Sequence, residues 1–272
     1  MIGEKMAWKN ILLIGLLTIL VSGCNQINSL VNKLPFISDD SSNKQQTKEE
    51  EESQINDPLS LESIFFNEIK EVDGKNVIQN STNVMALVNK EFYLPADYIP
   101  EDLVRPNVAF SFGDVEIEKS LMRKEAAEAL EKMFTDAAKN GIELYAVSGY
   151  RSYSRQQSLF NAEINRVGIE KAEQAVASPG SSEHQSGLAM DISSRSNKFY
   201  LNESFANTPE GKWLKDNAHR FGFILRYPKE KRDITNYMYE PWHFRYVGVK
   251  SATIMYKHNW TLEEYFNVVK KI

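Results

Sequence analysis

The run Leu188-Ala189-Met190-Asp191-Ile192 sets an acidic side chain in the middle of an apolar segment, with Gly187 directly before it. The glycine opposes a continuous helix through the segment, so the run reads as a buried strand. Period two places Leu188, Met190 and Ile192 on one face and Ala189 and Asp191 on the other. Ala189 is small, which leaves room beside the carboxylate. His184 precedes the glycine, in a loop able to fold back toward Asp191. A second block has the same character. In Glu240-Pro241-Trp242-His243-Phe244-Arg245-Tyr246, the aromatic residues Trp242, Phe244 and Tyr246 alternate with His243 and Arg245. The aromatic set is expected in the core, with His243 on the opposite face. Glu240 would be on the wrong side of a straight strand, and Pro241 favours a bend that returns it.

Two of the four histidines of the chain lie in these blocks. Two imidazoles and one carboxylate form a three-ligand set that leaves zinc a fourth position for water. A glutamate near that water is the usual general base of a zinc hydrolase. The other histidines read as structural. His219 lies in the last turn before Gly222, where a positive charge suits a helix C-terminus, and His258 is expected to face solvent.

The ends of the chain carry other signals. Lys5 and Lys9 precede an apolar run from Ile11 to Val21, about the length of a secretory h-region and short for a membrane span. The run closes in Val21-Ser22-Gly23-Cys24, which resembles a bacterial lipobox, so residues 1–23 are expected to be a lipoprotein signal peptide and Cys24 the lipidated residue. Cys24 is the only cysteine, which excludes an intramolecular disulfide and a cysteine metal cluster. From Ser38 to Asp57 there are seven acidic residues and two lysines, and little that could form a core. Residues 24–57 are expected to be a disordered acidic tether and 58–272 a single catalytic domain. The net charge of −5 argues against nucleic-acid binding.

Within the domain, Met85–Leu94, Glu143–Ser148, Phe223–Tyr227 and Trp242–Val249 read as strands. Helices are expected over Leu121–Lys139 with Ser120 as N-cap and a stripe of Leu121, Ala127, Leu130, Phe134 and Ala138. Further helices are expected over Arg155–Val167, over Thr208–Phe221 with Pro209 at its first position, and from Thr261 to the C-terminus. Helices and strands do not alternate strictly, so the expected class is α+β, an antiparallel sheet with flanking helices.

Ser-x-His-x-x-Gly-x-Ala-x-Asp at 182–191, followed by Glu-x-x-His at 240–243, resembles the signature of the VanY-type D-Ala-D-Ala carboxypeptidases, the M15B metallopeptidases. The resemblance runs from about Met85 to Val249 and includes Ser148-Gly149-Tyr150-Arg151-Ser152 and Gly222-Phe223-Ile224-Leu225-Arg226-Tyr227-Pro228. It implies the zinc metallopeptidase fold shared with hedgehog-like domains, and one Zn²⁺ held by His184, Asp191 and His243, with Glu240 as the catalytic base. It further implies that Arg151 holds the substrate's terminal carboxylate and that Gln156, Ser182 and Tyr227 line the substrate site. The expected activity is release of C-terminal D-alanine from peptidoglycan stem peptides. Whether the bond is D,D or L,D stays open, since the family contains both. Alternatives are a cell-wall zinc endopeptidase and a non-catalytic wall-binding lipoprotein. The expected protein is a monomer, lipid-anchored to the outer face of the bacterial membrane.

Overall fold

The computed structural model describes residues 57–272. The expected signal peptide and nearly all of the tether lie outside the described residues. The strands are β1 (Ser60–Leu61), β2 (Ile69–Val72), β3 (Lys75–Ile78), β4 (Phe92–Tyr93), β5 (Leu103–Val104), β6 (Met122–Arg123), β7 (Tyr145–Ser148), β8 (Ala189–Ser193), β9 (Phe223–Leu225), β10 (His243–Tyr246) and β11 (Lys270–Lys271). The helices are α1 (Lys124–Lys139), α2 (Tyr153–Val167), α3 (Ile169–Ala175), α4 (Pro209–Asn217), α5 (Arg232–Thr235), α6 (Val249–His258) and α7 (Leu262–Val268). The class is α+β.

The central sheet has the order β7-β8-β10-β9, antiparallel throughout. One face carries Leu188, Met190, Ile192, Phe244 and Tyr246, and packs against Ala126, Ala127, Leu130, Met133 and Ala137 of α1. The period-two reading of β8 and β10 therefore holds. Asp191, His243 and Arg245 are buried on the other face, away from α1, and that is where the polar chemistry collects. A second apolar cluster joins Ile224 and Val247 to α6 and α7 through Ala252, Met255, Leu262 and Tyr265.

Several caps follow the sequence. Ser152 Oγ accepts from the Arg155 N–H at the start of α2. Thr208 caps α4 with Pro209 at its first position, and Thr261 caps α7 in a reciprocal capping box with Glu264.

Four expectations fail, each for a local reason. Met85–Leu94 is a strand only at Phe92–Tyr93. Its buried backbone is satisfied by side chains instead of a ladder: Arg245 donates to the Val84 and Ala86 carbonyls, and Asn67 bonds both backbone groups of Leu87. The first helix starts at Lys124, because Met122–Arg123 pairs with Leu103–Val104; Ser120 closes a 3₁₀ turn instead of capping α1. The buried stripe is accordingly turned, with Met133 and Ala137 inside and Ala138 exposed. The strand after His243 ends at Tyr246, Gly248 turns the chain at φ +80°, and α6 follows where no helix was expected. The last helix stops at Val268, and Lys270–Lys271 pairs in parallel with Ser60–Leu61, joining the two ends of the described chain.

Candidate active site

Strand pairing brings the two sequence blocks together. His243 is registered directly opposite Asp191 in the β8–β10 ladder. His184 arrives from a 3₁₀ turn, Glu183–Ser186, which Gly187 ends in the left-handed conformation at φ +69°. A Cβ at Gly187 would also press on Arg123 and Leu103. The result is that ligand atoms of His184, Asp191 and His243 all lie within 4.8 Å of one another. His184 Nε2 is 3.4 Å from Asp191 Oδ2, and His243 Nδ1 is 3.1 Å from Asp191 Oδ1.

This donor set fits a zinc ion: two imidazole nitrogens and one carboxylate oxygen, each buried and close enough to the others to share one ion. His184 Nδ1–H donates to the Gly149 carbonyl at 2.7 Å, which leaves the Nε2 lone pair facing inward. Burial would raise the Asp191 pKa, but His184 and His243 hold it well below the usual carboxylate range. Burial likewise opposes charge on His243, yet Asp191 and Glu183 outweigh it and push that pKa up to about 9.

Glu240 is close but apart. Its N–H donates to the Tyr227 carbonyl, and the turn through Pro241 is closed by the His243 N–H on the Glu240 carbonyl. This bend puts Glu240 Oε2 3.9 Å from His243 Nδ1, on the same side as the histidine. Burial pushes the Glu240 carboxyl up to about 7, where it can exchange a proton near neutrality.

Arg151 reaches the site by way of a bulge. The β7–β8 register passes from Ala146↔Ile192 to Ser148↔Asp191, leaving Val147 as the extra residue. The chain then runs so close to the segment before β6 that a Cβ at Gly149 would collide with the Leu121 carbonyl. The Arg151 N–H donates to the His184 carbonyl. Its guanidinium is bracketed, with Nη1 donating to Gln156 Oε1 at 2.9 Å and Nη2 to Ser148 Oγ at 3.2 Å. Gln156 is itself pinned by donating Nε2–H to the Ala177 carbonyl.

The three ligands, Glu240, Arg151 and Gln156 border one cleft of about 400 Å³. Arg151, Gln156, Ser182, His184, Asp191, Tyr227, Glu240 and His243 line it, so every site residue expected from the folded part of the sequence is present. One wall is a face of α2, with Gln156, Leu159, Glu163 and Arg166 at helical spacing. Tyr227 is buried, with its ring 5.0 Å from that of His243. Burial and then the nearby Glu183 charge keep its phenol protonated. Trp242 is only half buried and serves both the cleft and the core. His219 stacks on Tyr256 and His258 on Trp260; neither borders this cleft.

Glu183, Arg226, Arg245 and Tyr237 were not foreseen. Tyr237 lines the cleft and stacks near Tyr227. Glu183 has no solvent exposure and is clamped by two equally buried arginines. Against burial, Arg226 and Arg245 hold its carboxylate well below the usual range. The available signal was an arginine within each of two apolar strand-like runs, Leu225-Arg226-Tyr227 and Phe244-Arg245-Tyr246, which demands a buried counter-charge.

The VanY family, D-alanyl-D-alanine carboxypeptidase, matches residues 119–249. The chain is also 54% identical over 253 residues to YodJ of Bacillus subtilis (strain 168), a protein named as a carboxypeptidase, covering 92% of each. This chain belongs to the VanY D-alanyl-D-alanine carboxypeptidase family. Among solved structures of the VanY type, it is similar to the LdcB LD-carboxypeptidase, with a TM-score of 0.77 and 60% identity, covering 79% of this chain and 100% of that one. It is also similar to a variant of the D,D-pentapeptidase VanY in complex with Zn(II), with a TM-score of 0.54 and 32% identity over 68% of this chain and 99% of that one. The VanY-type chain described here is accordingly a carboxypeptidase, and its antiparallel sheet and helices are those of its relatives.

Proposed function

We propose that this carboxypeptidase is a zinc enzyme that removes the terminal D-alanine from peptidoglycan stem tetrapeptides, cutting an L,D bond. The observation that carries the reading is the common cleft, in which a bracketed guanidinium, a three-ligand cluster and a separate carboxylate face one space. Preference for the L,D bond is supported by 60% identity to LdcB against 32% to the D,D-pentapeptidase.

His184, Asp191 and His243 would hold the zinc. When bound, the ion supplies Lewis-acid chemistry, acidifying water and polarising a carbonyl. Arg151 binds the substrate's terminal carboxylate, because a planar guanidinium matches two carboxylate oxygens at once. Gln156 and Ser148 fix that guanidinium before substrate arrives, which lowers the ordering cost of binding. Glu240 takes a proton from the attacking water and returns it to the amine nitrogen of the leaving D-alanine, serving as base and then acid. Tyr227, held as a phenol, donates a hydrogen bond to the peptide at the reacting bond. Ser182 lines the wall beside it.

The test is to incubate the purified protein with tetrapeptide and pentapeptide muropeptides and to weigh the products. Loss of one alanine from the tetrapeptide is expected. Release from the pentapeptide alone would reassign the bond as D,D, and cleavage inside the stem would establish an endopeptidase.

We further propose that Cys24 is lipidated and holds a monomeric enzyme at the outer face of the membrane, with the acidic segment as its tether. The lipobox-like Val21-Ser22-Gly23-Cys24 supports this. Labelled palmitate entering the wild type but not Cys24→Ala, with release of the variant into the medium, is the expected result.

A further inference from the structure

We propose that Glu183 is a positioning residue acting through His243: its carboxylate keeps the proton on Nε2 and turns the Nδ1 lone pair toward Asp191 and His184. The inference rests on the zinc reading above. Glu183 has no solvent exposure, and its two oxygens are used differently. Oε1 accepts from Arg226 Nε and from Arg245 Nη1, both at 2.8 Å. Oε2 faces His243 Nε2 at 3.2 Å. A carboxylate only accepts, and Asp191 stands at Nδ1 as Glu183 does at Nε2; once a metal takes Nδ1, the hydrogen is left on Nε2, where Glu183 holds it.

The clamp is itself held. Arg226 Nη1 and Nη2 donate to the two oxygens of Glu263 on α7, at 2.8 and 2.6 Å. Arg245 donates to the carbonyls of Val84, Ala86 and Tyr246. Glu183 therefore has one orientation open to it. The two histidines are oriented in opposite senses by unlike partners. His184 is tied at Nδ1 by the Gly149 carbonyl and offers Nε2, whereas His243 is tied at Nε2 by Glu183 and offers Nδ1. Only that pairing sets both free nitrogens against Asp191. An anionic partner also makes the imidazole a stronger donor to a metal than a neutral carbonyl does.

Glu183→Gln tests this in the full-length protein. An amide can give its oxygen to the arginines only by turning its NH₂ toward His243, which favours the tautomer with hydrogen on Nδ1. Zinc affinity, measured by competition with a chromophoric chelator, is expected to fall about 10- to 100-fold. Glu263→Gln is the control, since it removes a partner of Arg226 without touching His243. It is expected to lower the melting temperature while keeping zinc affinity within about threefold of wild type, well short of that loss. E183Q binding zinc like the wild type, or E263Q weakening it equally, would overturn the proposal. Should E183Q not fold, ¹⁵N NMR of the zinc-loaded wild type decides the matter: ligation of His243 through Nδ1 with Nε2 protonated is expected, and ligation through Nε2 overturns it. A wild type that takes up no zinc defeats the metal reading itself, and this inference with it.

Discussion

Asp191 and His243 face each other across the β8–β10 ladder, and His243 Nδ1 lies 3.1 Å from Asp191 Oδ1. Residues 52 positions apart are thus placed by backbone register, the least deformable part of the fold. A one-residue slip of either strand would turn its ligand to the apolar face over α1 and leave the other ligand without its partner. Ligand geometry and core packing therefore depend on one and the same register.

Glu240→Gln keeps the size of the side chain and removes its ability to exchange a proton. We expect kcat to fall on the order of 10²- to 10⁴-fold, while zinc content by atomic absorption stays at the wild-type level. Retained turnover would take the proton-transfer role away from Glu240.

Arg151→Ala should cost about 10²-fold in kcat/KM on substrates with a free C-terminal carboxylate, the scale of losing a charged hydrogen-bond pair. Peptides amidated at the C-terminus should already be poor substrates of the wild type and lose little more in the variant. Gln156→Leu should reproduce part of the effect, about 10-fold, mostly in KM, because the bracket on Nη1 is lost while the charge remains. Equal losses on free and amidated peptides would argue against carboxylate binding by Arg151.

Metal removal should be visible in stability as well as activity. A ligand present at about 100 times its dissociation constant stabilises by about 2.7 kcal/mol. For a domain of this size that corresponds to a melting shift of about 5–10 °C. Differential scanning calorimetry with chelator, then with zinc restored, checks both the loss and its reversal. An unchanged melting curve combined with full activity in excess chelator would exclude the metal mechanism.

The Arg226–Glu263 pair gives a pH signature. Burial raises the Glu263 pKa, but the charge of Arg226 and their hydrogen bonds hold it below the ordinary value. A folded-state pKa lower than the unfolded one stabilises the protein above the unfolded value, near about 4.3, and the gain fades as pH falls through the folded value. Glu263→Gln should therefore destabilise by about 3 kcal/mol at pH 7. In urea titrations the gap from wild type should be flat down to about pH 5 and narrow below it. A gap that persists undiminished at pH 3 would show that the loss comes from packing.

Much of the site was legible because its residues recur at strand period beside glycine and proline. Asp191 behind Ala189, His243 between two core aromatics and the bend at Pro241 are each local statements, and local backbone geometry honours them. The role of Glu183 is not legible locally, for the converse reason. Nothing near it in sequence pairs with it, and its partners Arg226, Arg245 and His243 lie 43, 62 and 60 residues away. The same long reach breaks the strand expected over Met85–Leu94: the Ala86 and Leu87 backbone is satisfied by the side chains of Arg245 and Asn67, and only Phe92–Tyr93 pairs with a neighbouring strand.

The sequence by itself determined the ligand types, the alternation that separates them from the core, and the glycine and proline turns at Gly187 and Pro241. Those features act over a few residues, where φ/ψ limits and side-chain period leave little choice. The tertiary structure alone decided which histidine nitrogen faces Asp191, how Arg151 is braced, and how two buried arginines are neutralised. Each of these depends on a partner supplied by a distant strand or helix, and the cost of leaving a buried charge unpaired selects that partner only once the sheet has closed.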